Sequence, residues 1–164
     1  MEEKPMKTPI RVLVVLTLSC VLMSLALAAD PAPNFKLSTM DGKTIELKQL
    51  VGKAVVVNFW ATWCGPCRRE IPSMIKIYEK YKARGLEIVG ISLDRGGWND
   101  LKPFLAKTPI AYPIVLGGEP EAKAYGGIEG IPTTFFVDRK GNIVSKTVGS
   151  MQEADFEKAV KSIL

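Results

Sequence analysis

The sequence predicts an α/β fold, a mixed β-sheet with helices on both faces. Three observations carry this. Ala54 to Trp60 and Leu86 to Leu93 are short apolar, β-branched runs of the kind buried on both faces of a sheet. Between them, apolar residues recur at helical spacing from Gly65 to Tyr81. Hairpin signals stand at both ends of the chain, and a helical segment follows the second. The order is hairpin, β, α, β, α, β, α, β, β, α, which a mixed sheet with short connections accommodates.

The elements follow in order. Phe35 to Leu37 and Thr44 to Leu47 alternate across Met40-Asp41-Gly42-Lys43, a hairpin signature. The helix from Gly65 to Tyr81 has Ile71, Met74, Ile75, Tyr78 and Tyr81 as its apolar stripe, Pro72 as a kink and Gly85 as the stop beyond it. Asp100 to Lys107 reads as a helix capped by Asn99 or Asp100, with Pro103 in its first turn. Tyr112 to Leu116 is a short strand, and Pro120 to Tyr125 a brief helix stopped by Gly126. Thr133 to Val137 and Ile143 to Val148 form the second hairpin. Ser150 to Glu153 has the form of a capping box, opening a helix that buries Phe156, Ala159, Val160 and Ile163.

Ahead of this domain (residues 30–164) stands a leader. Residues 12 to 29 are almost wholly apolar and follow Lys4, Lys7 and Arg11, the order of a secretory signal peptide. Ala26-Leu27-Ala28 has the form of a cleavage site, yet the same stretch is long enough to remain as a membrane anchor. Either way the domain is expected outside the cytoplasm. Cys20 reads as a residue of the apolar leader. The net charge is +5 with scattered basic residues, so no nucleic-acid partner is expected. The chain has no histidine, which excludes Ser-His and Cys-His catalytic pairs.

The chemistry concentrates in Trp63-Cys64-Gly65-Pro66-Cys67. The two cysteines sit where a buried strand passes into a helix. Cys64 at the helix N-terminus lies close to unpaired N–H groups, which favour its thiolate and draw its pKa from about 8.5 toward roughly 7 or below. Cys67, three residues on, shares that side of the helix and is the more buried of the two. This asymmetry makes Cys64 the nucleophile and Cys67 the resolving thiol. A zinc site would need further ligands that a chain without histidine or another cysteine in the domain does not offer, and no metal is expected. A static disulfide would close too small a loop to stabilise much, and two buried inert thiols are the remaining alternative. The expected redox group is the Cys64–Cys67 pair itself, with no other cofactor.

Val55 to Cys67, VVVNFWATWCGPC, strongly resembles the active-site segment of thioredoxin-fold proteins. Pro72 falls where that family kinks its active-site helix, and Gly130-Ile131-Pro132-Thr133-Thr134 looks like its cis-proline loop. The resemblance implies a cis Ile131–Pro132 bond against the cysteines, with the Ile131 backbone pairing an extended substrate. The leader, the N-terminal hairpin and an inserted helix–strand segment from Asp94 to Gly118 narrow the likeness to the TlpA/ResA-like branch. That branch implies extracytoplasmic thiol–disulfide oxidoreductases, usually reductases. Their partners would be protein disulfides or thiols, among them apocytochrome c, and a membrane dithiol that supplies electrons. A monomer is expected.

Trp63, Gly65, Pro66, Ile131 and Pro132 form the expected substrate surface, while Trp60 reads as core. Where thioredoxins commonly carry a buried aspartate six residues before the first cysteine, this chain has Asn58. An amide cannot serve as that base. Glu70 and Asp94 are the candidate proton-transfer groups by placement, although each reads more simply as a solvated surface carboxylate. Three other functions compete. A disulfide-forming oxidant is disfavoured by Gly65-Pro66, because strong oxidants of this fold usually place a histidine there. A thiol peroxidase would need a threonine where Ala61 stands. A non-catalytic periplasmic binding module would not need the cysteines at all.

Overall fold

The computed structural model describes residues 30–164. The signal or anchor reading, the cleavage site and Cys20 lie outside those residues. Among the described residues are seven strands: β1 (Lys36–Ser38), β2 (Thr44–Glu46), β3 (Ala54–Trp60), β4 (Leu86–Ser92), β5 (Ile114–Leu116), β6 (Thr133–Val137) and β7 (Ile143–Val148). The α-helices are α1 (Gly65–Tyr81), α2 (Trp98–Lys107), α3 (Glu119–Ala124) and α4 (Glu153–Ile163).

The main sheet has the order β5-β4-β3-β6-β7. Strands β3, β4 and β5 run parallel, whereas β6 and β7 are antiparallel. The N-terminal hairpin β1–β2 is a separate two-stranded sheet, tied to β5 by a bridge between Thr39 and Val115.

Every residue of β3 is buried, which explains why its sequence does not alternate between apolar and polar. Ala54, Val56 and Trp60 pack with Ile88 and Phe136 against α1, α4 and Leu101 of α2. Val55, Val57 and Phe59 pack on the other face with Val89, Ile91 and Phe135, beneath Phe35, Leu47 and Tyr125 just past α3. There the Phe59, Tyr125 and Phe135 rings meet edge to face, with centroids 4.8 to 6.0 Å apart.

Several local expectations shift. In α1 the buried stripe is Ile71, Met74, Ile77 and Tyr81; Ile75 and Tyr78 are only partly covered. Pro72 lies inside α1 without ending it. Helix α2 starts at Trp98 behind Gly97, whose φ of +60° suits glycine. Asp100 is therefore not the cap but a first-turn residue, accepting the Gly96 N–H at 2.9 Å. Pro103 then falls mid-helix. Strand β5 begins only at Ile114, leaving Tyr112 buried edge-on to Tyr78. Helix α3 runs one residue earlier than expected, from Glu119 to Ala124. No capping box forms at α4. Gln152 is the N-cap without a side-chain bond, the Glu153 carboxylate pairs with Lys76, and the Met151 N–H turns to Glu70.

Candidate active site

The sheet register assembles the site. Strand β3 ends at Trp60, and the chain turns through Ala61-Thr62-Trp63 into Cys64 and α1. Strand β6 runs antiparallel to β3 with Thr133 opposite Phe59, so the segment just before β6 lies beside the end of β3. That segment is Ile131-Pro132, and its peptide bond is cis, as the resemblance implies. Two bonds hold it: the Thr133 hydroxyl donates to Gly130 O at 2.6 Å, and Gly149 N–H donates to Pro132 O at 2.8 Å.

Cys64 and Cys67 form a disulfide. Cys64 is the N-cap of α1, and its Sγ accepts the Cys67 N–H at 3.2 Å. The same sulfur lies 3.6 Å from the Ile131 carbonyl oxygen. The helix N-terminus, with unpaired N–H groups, thus faces Cys64. Cys64 is 4% exposed and Cys67 1%. Gly65 and Pro66 are exposed between them, and Trp63, next to Cys64 in the chain, stands 68% exposed.

The two carboxylates are not solvated; both are buried. Glu70 lies one turn beyond Cys67 on α1. Its Oε1 accepts from Asn58 Nδ2 at 3.2 Å and its Oε2 from the Met151 N–H at 3.3 Å. No cation pairs with it among the described residues. Burial therefore dominates and pushes its pKa up to about 7, against the two hydrogen bonds. Asn58 also donates to the Thr134 hydroxyl at 2.9 Å, which fixes its amide between β6 and α1. The residue that cannot be a base positions one that can.

Asp94 is placed differently. It accepts from Thr62 N–H at 3.0 and 3.2 Å, from the Thr62 hydroxyl at 2.6 Å and from the Ser92 hydroxyl at 2.7 Å. These bonds tie the turn before Cys64 to the end of β4. With its oxygens engaged there, Asp94 anchors the loop that presents the cysteine.

Sequence reasoning passed over Thr62, Ser92, Thr134 and Met151. Asn58 and Thr134 carried a readable signal, as polar residues in strands otherwise built to be buried. Met151 carried none, because its contribution is a backbone N–H brought in by the start of α4.

Known proteins place this geometry. The AhpC/TSA family model matches residues 28–146. The chain belongs to that family. Its curated relatives narrow the chemistry within the AhpC/TSA family. It is 36% identical over 134 residues to thiol-disulfide oxidoreductase ResA of Bacillus thuringiensis (strain Al Hakam), covering 80% of this chain and 76% of the relative. It is 38% identical over 141 residues to the ResA of Halalkalibacterium halodurans, covering 85% and 79%. Among solved structures, a thioredoxin-family thiol:disulfide interchange protein from Chlorobium tepidum TLS matches with a TM-score of 0.76 and 38% identity, over 82% of this chain and 96% of that one. StoA from Bacillus subtilis matches with a TM-score of 0.67 and 28% identity, over 80% and 98%. This AhpC/TSA member is a thiol–disulfide oxidoreductase with a thioredoxin-like fold. Among the described residues, no helix is long and apolar enough to cross a membrane.

Proposed function

We propose that this oxidoreductase works outside the cytoplasm as a dithiol reductase of protein disulfides. One observation carries the reading: the position of Cys64 Sγ, which caps α1 and lies 3.6 Å from the Ile131 carbonyl. It sits between a helix end that favours a thiolate and a stretch of backbone that an extended polypeptide can pair with.

The cycle follows from those positions. With the pair reduced, the Cys64 thiolate attacks a substrate disulfide, and one substrate sulfur leaves as a thiolate and takes up a proton. The mixed disulfide is then attacked by Cys67, whose thiol gives up its proton. The Cys64–substrate bond breaks, the second substrate thiol departs, and the Cys64–Cys67 disulfide closes. Two electrons have passed to the substrate, and a membrane dithiol restores the pair. Glu70 is the proton acceptor in this scheme: buried one turn past Cys67, with a pKa near 7, it can accept a proton as Cys67 attacks and release it afterwards. Trp63, Gly65 and Pro66 supply the surface around the attacked bond. The disulfide-bonded haem-attachment cysteines of apocytochrome c are the proposed substrates, supported by the resemblance to the TlpA/ResA-like branch.

Trapping tests the substrate. Cys67→Ser cannot resolve the mixed disulfide, so expression in the native compartment should accumulate partners on Cys64. Haem-attachment cysteines among them would support cytochrome maturation, whereas a broad set without them would contradict that role and indicate a general reductase.

A further inference from the structure

Beside the disulfide lies an open cleft of about 430 Å³, lined by Gly65, Arg68, Arg69, Phe104 and Thr108. Gly65 belongs to the Cys64–Cys67 loop, so the cleft borders the redox pair. Its two guanidinium groups are unusual for their position. The first turn of α1 carries no acidic residue, and Arg68 and Arg69 follow immediately. Positive charge near a helix N-terminus opposes the helix dipole, where an acidic side chain would be favourable. Among the described residues every ion pair is made by a lysine, and neither arginine takes part in one. The nearest buried carboxylate along the helix, Glu70, is held by Asn58 and Met151. Arg68 is nonetheless placed rather than free, its guanidinium carbon 5.8 Å from the centroid of the Phe104 ring. Stacking of that kind holds a guanidinium while leaving its N–H donors open to a planar carboxylate.

We propose that this cleft is a specificity subsite for an acidic side chain of the substrate polypeptide, lying within a few residues of the disulfide under attack. The proposal rests on the reductase reading above and names the substrate class for the same site. An aspartate or glutamate there meets two unpaired guanidinium groups and the dipole of α1 together, and the charge pair steers the encounter as well as holding it.

The test uses the purified, reduced full chain and three peptides of one sequence. Each has a single intramolecular disulfide, flanked by acidic, neutral or basic residues, and kcat/KM is measured at low and high salt. The acidic peptide should lead the neutral one by about five- to tenfold at low salt, with the basic one slowest, given two partly exposed charge pairs. High salt should erode the difference. Arg68→Glu/Arg69→Glu should invert the order, and Arg68→Gln/Arg69→Gln should bring the three peptides close to parity. Inversion cannot come from a merely structural role of the arginines. Equal rates in the wild type, or an acidic preference that survives charge reversal, would overturn the subsite and leave the reductase reading standing. Failure to reduce any of the peptides would overturn both.

Discussion

Cys64→Ser should abolish thiol–disulfide exchange, lowering turnover by about a thousandfold or more, while Cys67→Ser should keep the first step and lose the second. The asymmetry follows from placement. Cys64 caps α1 and faces the Ile131 carbonyl, whereas Cys67 is the more buried sulfur, one helical turn into the structure. A serine hydroxyl at position 64 can still cap the helix, so the fold survives and the loss is chemical. Single-turnover mixing with a peptide disulfide separates the two variants. With Cys67→Ser, one equivalent of mixed disulfide forms and persists; with Cys64→Ser, none forms. A mixed disulfide on Cys67 in the second variant, formed at the wild-type rate, would reverse the roles.

Glu70→Gln changes both the pH dependence of stability and the rate of resolution. The wild-type carboxyl has its pKa raised by burial to about 7 from 4.5. In the unfolded chain it ionises near the lower value. Its stabilising contribution is therefore complete below pH 4.5 and is lost as the pH rises through about 7, when a charge must be held in the buried site. The loss amounts to about 3 kcal/mol as an order of magnitude. Glutamine carries no charge at any pH, so the variant lacks this slope, and its stability relative to wild type improves between pH 5 and pH 8. Urea unfolding at both values measures it. The same substitution removes the proposed proton acceptor for Cys67, which should slow closure of the Cys64–Cys67 disulfide by about a hundredfold near neutral pH. An unchanged rate with the altered stability slope would make Glu70 a structural residue only.

Both effects turn on a carboxylate whose environment was not legible in the chain. Glu70 sits in the sequence between Arg69 and Ile71 on a helix where charged neighbours are exposed, so solvation was the simpler reading. It is buried because α4 packs across α1 and brings the Met151 N–H to it, a tertiary event with no local pattern. Asp94 was misjudged for a related reason: its hydrogen-bond partners are Thr62, in the turn after β3, and Ser92, at the end of β4. What was legible was local. The largely apolar β3 and β4 announced a sheet covered on both faces, and Asp-Gly marked the first hairpin. The run from Val55 to Cys67 carried enough pattern to bring in Pro132, more than sixty residues away, through family likeness. The errors at helix starts have one cause. Capping was assigned from residue type, while Asp100 turned back to the Gly96 N–H ahead of α2 and Glu153 turned away to Lys76.

The direction of electron flow is the central claim. Equilibrating the purified chain against dithiol buffers of known potential, and reading the fraction with Cys64 and Cys67 disulfide-bonded, tests it most directly. A reductase should poise nearer the roughly −270 mV of thioredoxin. A value close to about −120 mV, where a strong oxidant of this fold lies, would contradict it.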